Sequence, residues 1–452
     1  LVARCSQELV GEGKRPLSAA RRAEILQANE ELAGQALRTL GVAARELPAD
    51  ALEHEEVDEG LEHELIFLGL IGMIDPPREE AKQAVARAKN AGIRPIMITG
   101  DHPITAAIIA GELGIASDGR AVTGVELEKQ TDEALAQTVR EVSVYARVNP
   151  EHKLRIVKAL QSGGATVAMT GDGVNDAPAL KAADIGVAMG ITGTDVSKQA
   201  ADVVLTDDNF ATIVAAVEEG RAIFTNIRKF LRYLLASNMG EVMTMFFGVL
   251  LAKVIGLHAE GSAVVLPLLA TQLLWINLVT DGAPALALGV DPADAGVMRK
   301  PPRPRDEGVI TRRMWFDIFF VGFVSAAGTL AVLDASLPGG LIEGSGSMRY
   351  AQTMAFTTVM LFSLFTVFNS RSFERSAFAG LFSNQWLWGA VLLSLLLQMA
   401  VVYTPFLQQA FSTASLSFGD WLRCTAVASS VLWLGELGKL IRRARNQQAV
   451  AG

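Results

Sequence analysis

The sequence predicts an α/β domain built on a parallel sheet, followed by an all-α membrane domain of six transmembrane helices. Residues 1 to about 221 are rich in charge, whereas long apolar stretches begin near residue 230. Short apolar strands alternate with amphipathic helices through the charged part. The apolar segments that follow are each about 20 residues long, the length that a bilayer span requires. The 452 residues suffice for two or three domains.

The charged part shows a regular order of predicted elements. It opens with a helix at 20–38 and a strand at 37–44, and an acidic segment at 48–64 is expected to be a loop. Further strands are predicted at 65–74, 94–99, 142–146, 166–170, 185–189 and 203–205, and helices at 79–90, 103–113, 150–161, 177–183 and 194–201. This alternation predicts a parallel sheet covered on both faces, with its chemistry at the carboxyl ends of the strands.

Composition excludes several classes of function. The net charge is −8 and falls mostly on the first part, so we expect no binding to nucleic acid. The five histidines show no metal-ligand spacing, which argues against a zinc site. The two cysteines, Cys5 and Cys424, imply no disulfide framework and fit a reducing compartment for the soluble part.

Three segments that follow predicted strands carry side chains suited to phosphate chemistry. The strongest signal is Thr-Gly-Asp-Gly-Val-Asn-Asp at 170–176, where glycines allow a tight turn and carboxylates can hold a hard cation. Thr-Gly-Asp at 99–101 precedes a helix N-terminus, which attracts anions, although a plain structural turn is an equal alternative. Lys153 opens a helix and, taken alone, would be a surface charge.

In this order, these residues resemble the haloacid-dehalogenase-like phosphatase core, and the turn at 170–176 is similar to the hinge signature of P-type ATPases. Asp-Pro-Pro-Arg at 75–78, Met-Ile-Thr-Gly-Asp at 97–101 and Ala-Arg-Val-Asn-Pro-Glu-His-Lys at 146–153 resemble further signatures of that family. The resemblance runs from about residue 37 through the membrane part. It implies a haloacid-dehalogenase-like phosphorylation domain that uses ATP and Mg²⁺.

The resemblance also implies a role for each matching residue. Asp172 and Asp176 would hold Mg²⁺ against an aspartyl phosphate, and Lys153 would neutralise charge on the phosphoryl oxygens. The implied catalytic residues are Thr99, Gly100, Lys153, Asp172, Asn175 and Asp176. The residues implied in nucleotide binding or at its domain interface are Arg38, Asp75, Arg78, Asp101 and Arg147.

One departure from the family pattern affects what the chain can do alone. The phosphorylated Asp of an Asp-Lys-Thr-Gly-Thr stretch is absent, as are the Lys-Gly-Ala-Pro and Thr-Gly-Glu segments of the other soluble domains. We therefore predict that the chain is the C-terminal half of a pump, inactive without its N-terminal half as partner. The predicted domains are a remnant of the nucleotide-binding domain at 1–64, the phosphorylation domain at 65–225 and the transmembrane domain at 226–452.

The apolar part divides into six predicted spans, and its charges predict an orientation. The spans are expected at 230–255, 264–290, 315–333, 351–368, 386–404 and 421–441. Sixteen Lys and Arg residues fall in the loops and ends on one side, against two on the other. By the positive-inside rule, the phosphate domain and both chain ends face the cytoplasm, and we expect the protein in the plasma membrane. The absence of proline from 209 to 245 predicts one long helix leading into the first span.

Carboxylates and amides lie inside the first two predicted spans. Asn238 and Glu241 share one helix face, as do Asn277, Thr280 and Asp281. A charged carboxylate at mid-membrane costs about 3 kcal/mol of free energy, so two carboxylates there would destabilise the protein unless they bind a ligand. A proline four residues after Thr280 frees a carbonyl oxygen. Oxygen ligands suit a hard cation such as Ca²⁺ better than copper or zinc; interhelical hydrogen bonding is the alternative for the two amides.

The stretches at 238–241 and 272–282 resemble the calcium-pump branch of P-type ATPases. The resemblance implies ATP-driven transport of a hard cation, Ca²⁺ above others, across the lipid bilayer. Ser363 stands where the fourth span would supply an acidic or amide ligand, which leaves one or two bound ions open. The alternatives are a pump for Mg²⁺, Na⁺ or Mn²⁺ and a truncated, non-catalytic regulatory form. A membrane-anchored phosphatase predicts an intact nucleophile and featureless anchoring helices, and the sequence has neither.

Overall fold

The computed structural model describes residues 1–34, 37–47, 62–73, 76–257, 265–294, 296–373 and 375–451; the side chains at 33, 38 and 446–451 are not described. The chain forms two compact units. The first contains Leu1–Glu218 and Met298–Arg305, and the second contains Glu219–Val297 and Asp306–Gly452. The three predicted domains remain a prediction.

The described strands of the first unit form one mixed sheet and two parallel sheets. The strands are β1 Cys5–Val10, β2 Gly13–Pro16, β3 Arg38–Ala44, β4 Leu65–Met73, β5 Met97–Ile98, β6 Val122–Thr123, β7 Val144–Ala146, β8 Ala168–Gly171, β9 Ile185–Met189 and β10 Val203–Leu205. The mixed sheet has the order β2-β1-β4-β3, with β1 parallel to β4 and antiparallel to β2. The parallel sheets have the orders β5-β7-β6 and β10-β9-β8.

The strand prediction is confirmed for β9 and β10 residue by residue, and β3, β4, β7 and β8 fall within two residues of the predicted bounds. The sheet arrangement differs from the prediction. Strand β4 does not join a parallel sheet, because it pairs antiparallel with β3 along nearly its whole length. The predicted domain boundary at residue 64 therefore falls inside the mixed sheet. Strands β1, β2 and β6 were not predicted, and residues 48–61 of the expected acidic loop lie outside the described residues.

Most helices of the first unit lie at predicted positions. The helices are α1 Ala19–Ala33, α2 Glu79–Asn90, α3 Pro103–Glu112, α4 Gly124–Glu128, α5 Asp132–Glu141, α6 Pro150–Ser162, α7 Ala177–Ala182 and α8 Asp195–Ala200. Helix α1 ends five residues before its predicted end, and α4 and α5 were not predicted. Buried Leu135, Tyr145 and Ile156 belong to one apolar cluster, which packs β7 against α5 and α6. Burial raises the pKa of the Tyr145 phenol to about 12, and its hydroxyl donates to the Val142 carbonyl. This core fixes the strand end and the helix that carry Arg147 and Lys153.

The second unit is helical in its described part. Its elements are α9 Phe210–Leu250, α10 Ala270–Trp275, a π-turn at Ile276–Thr280, α11 Gly282–Gly289, α12 Arg312–Asp334, α13 Met348–Ser370, α14 Gln385–Tyr403, α15 Pro405–Phe411 and α16 Phe418–Ala451. Helix α9 also includes the last residues of the first unit, and it confirms the single long helix predicted from the missing proline. In the described chain, α9, α12, α13, α14 and α16 are long and apolar enough to cross a membrane. The protein is therefore an integral membrane protein.

The second predicted span, 264–290, is not one continuous helix. It divides at the π-turn, where the Asp281 N–H donates to the Ile276 carbonyl five residues earlier, at 2.9 Å. Pro284 contributes to the break because it has no N–H to donate to the Thr280 carbonyl. Five of the six predicted spans are confirmed as single helices. Turns of π-helix are rare in proteins, and those that occur are frequently found at functional sites.

Candidate phosphate and cation sites

The turn at 170–176 follows β8 and is closed by a buried carboxylate. The Oδ2 atom of Asp176 accepts the backbone N–H groups of Asp172 at 3.2 Å and Gly173 at 3.1 Å. A Cβ atom on Gly171 would stand 2.5 Å from the Asp176 Cβ, so the turn can close only with glycine there. Asp176 itself is 4 % exposed. This carboxylate holds the shape of the turn.

Lys153 is aimed at this turn by the first turn of α6. The Asn149 side chain accepts the His152 N–H at 3.0 Å, and His152 Nδ1 accepts the Asn149 N–H at 3.2 Å, which caps the helix. Lys153 Nζ then lies 2.5 Å from Asp176 Oδ1. Both oxygens of Asp176 are thus engaged by protein donors. The lone-lysine alternative, a solvated surface charge, does not hold, because the ammonium is paired inside the site.

Asp172 differs from Asp176 because its side chain is exposed while its backbone is fixed. Its carbonyl accepts the Thr194 N–H at 2.9 Å and the Ser197 hydroxyl at 3.0 Å. Asn175 is also exposed on the same turn. An exposed carboxylate on a rigid backbone fits a ligand for a hard divalent cation. Sequence reasoning missed Thr194 and Ser197, although the N-cap position of Thr194, directly before α8, was a usable signal.

A second cluster joins the ends of β5 and β7. The Thr99 hydroxyl donates to Asp101 Oδ2 at 2.8 Å, and the Asp101 N–H donates back to Thr99 Oγ1 at 3.1 Å. The Asp101 carbonyl accepts the Arg147 N–H at 3.2 Å. Arg147 is exposed and adopts a φ of +49°, a conformation that non-glycine residues rarely use. Gly100 is exposed, and a Cβ there would meet no atom within 4 Å.

An unpredicted aspartate organises the loop after β9. The Asp208 carboxylate accepts the backbone N–H groups of Gly190 at 2.6 Å, Ile191 at 3.0 Å and Thr192 at 2.7 Å. These donors favour the ionised form and lower the pKa of Asp208 to about 2. The loop leads directly to Thr194, the residue that donates to the Asp172 carbonyl. Asp208 therefore helps to position the turn at 170–176 through the backbone.

The remaining predicted nucleotide residues are less defined. Arg78 is exposed immediately before α2. Arg38 begins β3, and its side chain is not described. Asp75 lies outside the described residues. The structure thus brings together Thr99, Asp101 and the Arg147 backbone, but it does not join Arg38, Asp75 or Arg78 to that cluster.

The predicted cation ligands meet where α9 faces the broken helix. Glu241 is 5 % exposed and Asp281 is 1 % exposed. Asn277 Nδ2 donates to Glu241 Oε2 at 2.6 Å, and the Tyr233 hydroxyl donates to Asp281 Oδ1 at 3.0 Å. Asn238 lies one turn before Glu241 on the same helix and is half-buried, without sharing these contacts. Asn277 of the broken helix thus contacts Glu241 of α9, and Asp281 contacts Tyr233 of the same helix.

Three buried oxygens at this place have no hydrogen-bond partner among the described residues: Glu241 Oε1, Thr280 Oγ1 and Asp281 Oδ2. Leaving a buried polar group without a partner costs about 1–3 kcal/mol, and more for a charged group. Within the described chain, no three carboxylate, imidazole or thiolate groups converge as a metal site. A cation bound here would therefore take hydroxyl, amide or carbonyl oxygens beside the two carboxylates, a mixture typical of hard cations.

Tyr233 is a site residue that sequence reasoning missed. It lies eight residues before Glu241 on α9, so both share a helix face, and that spacing was visible in the sequence. Ser363, already marked as a departure from the expected acidic ligand, is buried on α13.

Comparisons with known proteins agree with both halves of this picture. Residues 6–184 and 153–217 match haloacid dehalogenase-like hydrolase families, and residues 265–441 match the family described as cation transporting ATPase, C-terminus. A calcium-transporting ATPase of Bacillus subtilis (strain 168) is 48 % identical over 404 residues, covering 89 % of this chain and 43 % of the relative. Calcium-transporting ATPase 1 of Bacillus cereus is 42 % identical, covering 98 % of this chain and 50 % of the relative.

A human relative, calcium-transporting ATPase type 2C member 1, is 42 % identical over 386 residues, covering 85 % of this chain and 40 % of the relative. The chain thus spans half or less of the length of these relatives. The matches cover both the hydrolase-like unit and the membrane helices, so they do not rest on one shared motif. The chain belongs to the P-type cation-transporting ATPases, on their calcium-pump-like branch.

Proposed function

We propose that this chain is part of an ATP-hydrolysing pump that moves a hard cation, Ca²⁺, across a membrane through an aspartyl-phosphate intermediate. The observation that carries the proposal is the group of partnerless oxygens on Glu241, Thr280 and Asp281 among apolar helices. Carboxylate and neutral oxygens together suit Ca²⁺. The three relatives named above are all calcium-transporting ATPases, which favours this cation over Mg²⁺, Na⁺ or Mn²⁺.

The phosphate chemistry is assigned to the first unit. Mg²⁺ would be held by Asp172, with Asn175 beside it, and would neutralise charge on a transferring phosphoryl group. Lys153 supplies a second positive charge there, and Thr99 with the Gly100 backbone donates hydrogen bonds to the phosphoryl oxygens. Asp176 was predicted as a second metal ligand. Its two engaged oxygens support a different role, which is to hold Lys153 and close the turn.

ATP is the proposed second substrate. Asp101 and Arg147 stand beside Thr99 and are proposed to contact the nucleotide or the domain that carries it. Arg38, Asp75 and Arg78 are proposed for the same role on the family resemblance alone. The phosphorylated Asp would come from the N-terminal half of the protein, which is the partner that this proposal requires.

The transport path is assigned to the second unit. Asn238, Glu241, Asn277, Thr280 and Asp281 form the proposed cation site. The broken helix at 270–289 is proposed as the sixth span, because irregular backbone at membrane depth is tolerated where it lines a site. The bias of Lys and Arg toward one set of loops supports a cytoplasmic first unit in a plasma-membrane protein.

The test is ⁴⁵Ca²⁺ uptake and Ca²⁺-dependent ATP hydrolysis by the full pump in vesicles, with Glu241→Gln and Asp281→Asn variants. Both substitutions keep the side-chain shape and remove one charge, so we expect uptake to fall at least about 100-fold, the effect of losing close to 3 kcal/mol of ligand interaction. Glu343→Gln is the matched control, because that carboxylate is exposed in the loop after α12. Unchanged Ca²⁺-dependent hydrolysis in both site variants would show that the cation site is elsewhere.

A further inference from the structure

A cleft of about 260 Å³ opens in the second unit among α9, α12, α13 and α16. None of the proposed cation ligands lines it. Its charged lining residues are Arg232, Asp317, Lys439 and Arg442. Its apolar lining includes Phe316, Phe320, Leu437 and Ile441. The cleft is therefore polar on one part of its wall and apolar on another.

The charges in the cleft do not balance. Asp317 shares its carboxylate between two guanidinium groups: Oδ2 lies 3.2 Å from Arg232 Nη2, and Oδ1 lies 2.8 Å from Arg442 Nη2. Lys439 is neutralised by Glu436, whose Oε1 lies 3.0 Å from Nζ. Among the described residues around the cleft, one positive charge is left over. Arg232 and Asp317 are both buried, at 8 % and 5 % exposed, whereas the Arg442 side chain is 34 % exposed, so the excess lies where the cleft opens.

An excess positive charge in a partly desolvated cleft is stabilised when an anion joins it. The anion here would also meet apolar surface, because Phe316 is 68 % exposed and Ile441 is 48 % exposed. Acyl chains would cover such side chains, whereas a free phosphate would leave them uncovered. The shape and charge of the cleft therefore match one molecule that has both an anionic head and an apolar tail.

The position of the cleft along the helices agrees with this. Arg442 stands in the last turns of α16, next to the basic residues Arg443 and Arg445, and α12 begins with two arginines close to Phe316. Basic clusters at helix ends lie at the level of the lipid headgroups, and basic pockets between membrane helices bind anionic headgroups. We propose that this cleft is a binding site for an anionic phospholipid, with its phosphate at Arg232 and Arg442 and its acyl chains on Phe316 and Ile441.

The experiment titrates the purified protein in neutral detergent with dioleoylphosphatidylglycerol or dioleoylphosphatidylcholine. Thermal unfolding is recorded, and lipid retention is counted by native mass spectrometry. We expect the anionic lipid alone to raise the melting midpoint. In Arg442→Gln the half-maximal lipid concentration should rise about fivefold, the effect of one basic residue near a headgroup. Arg423→Gln is the matched control, since Arg423 is an exposed arginine near the other end of the same helix and should leave the titration unchanged.

Asp317→Asn extends the test in the opposite direction and serves if Arg442→Gln does not fold. Removing the shared carboxylate makes the cleft more positive, so the half-maximal concentration of the anionic lipid should fall. Equal responses to the two lipids, or equal losses in the Arg442 and Arg423 variants, would overturn the proposal. An equal rise in melting midpoint with inorganic phosphate would also overturn it, because it would identify a site for a free anion.

Discussion

Each unit contains acidic residues at its proposed site, and Asp176 in the first unit is bound by protein groups in a way that Glu241 and Asp281 in the second unit are not. In the phosphate turn, Asp176 has both oxygens occupied by Lys153 and backbone N–H groups. In the membrane unit, Glu241 and Asp281 each keep one buried oxygen without any partner. A fully partnered carboxylate stabilises the fold, whereas a partnerless buried carboxylate lowers stability until a ligand arrives.

The difference shows how structural and ligand-binding carboxylates can be told apart in one chain. Asp172 and Asp176 are four residues apart in one motif, yet one is exposed and the other is locked into the turn. The number of protein donors on each oxygen separates the two roles. The same criterion distinguishes Glu241 and Asp281 from other buried acidic residues of the second unit. Asp291 and Asp317, for example, form ion pairs with basic side chains.

The largest expected effect distinguishes Asp172 from Asp176 within the phosphate turn. Asp172→Asn should lower ATP hydrolysis by the full pump at least about 100-fold with little change in melting midpoint, because an exposed charge at the reaction centre is lost. Asp176→Ala should lower both the rate of hydrolysis and the melting midpoint. It leaves two N–H groups and Lys153 without their acceptor, which should cost about 1–3 kcal/mol of stability. Hydrolysis assays and thermal unfolding measure the two quantities. Equal destabilisation by both substitutions would contradict the assigned roles.

The second prediction concerns the opposite behaviour of the membrane carboxylates. Glu241→Gln removes a buried charge that has a partnerless oxygen, so without Ca²⁺ the variant should be as stable as the wild type or about 1 kcal/mol more stable. The rise in melting midpoint that Ca²⁺ causes in the wild type should disappear in the variant. Lys229→Gln is the contrasting control. In the wild type, Lys229 Nζ lies 2.9 Å from Asp291 Oδ2. The substitution removes this basic partner and should destabilise the protein with or without Ca²⁺.

The third prediction tests whether close packing defines the phosphate turn. Gly171→Ala places a Cβ 2.5 Å from the Asp176 Cβ and should cost about 1–3 kcal/mol of stability. Gly100→Ala meets no atom within 4 Å and should leave the melting midpoint nearly unchanged. A comparison of the two midpoints is sufficient. A Gly171 variant as stable as the Gly100 variant would mean that the turn closes in another way.

The smallest expected effect is a pH dependence at Asp208. Its pKa is lowered in the folded protein to about 2 from 3.8, so its contribution to stability is present above pH 4 and is lost as the pH falls toward 2. Asp208→Asn should therefore lower the melting midpoint at pH 7, and the gap to the wild type should shrink as the pH approaches 2. Asp118, an exposed loop aspartate, provides the control substitution. If the difference in melting midpoint between the variant and the wild type did not depend on pH, the effect would come from packing and not from the charge of Asp208.

The sequence predicted the parts of the molecule that depend on local pattern. Periodicity placed α2 from Glu79 to Asn90 and β9 and β10 without error, and it placed both ends of α12, α13 and α14 within three residues. The first span was predicted to end at residue 255, whereas α9 ends at Leu250. Side-chain spacing predicted that Asn238 and Glu241 share one helix face and that Asn277, Thr280 and Asp281 share another. These features depend on hydrogen bonds and burial within a few helical turns, which neighbouring residues determine.

The partners of each group could not be predicted in the same way. Strand β4 looked like the start of an alternating parallel sheet, but its antiparallel pairing with β3 depends on contacts between distant residues. Asp176 matched a metal-ligand motif, and only its three donors showed that it is engaged. Tyr233 contacts Asp281, 48 residues away in the sequence, and Thr194 contacts Asp172, 22 residues away. Such pairings follow from how elements pack, and no local propensity encodes them.

By itself, the sequence determined most of the helices and strands, where charged segments give way to apolar ones, and which acidic and amide groups are candidates for phosphate and cation chemistry. Tertiary structure alone decided which of those groups are satisfied and which are left open. The physical reason is that a polar atom's free energy depends on the donors, acceptors and solvent around it, and distant parts of the chain supply these once they pack together.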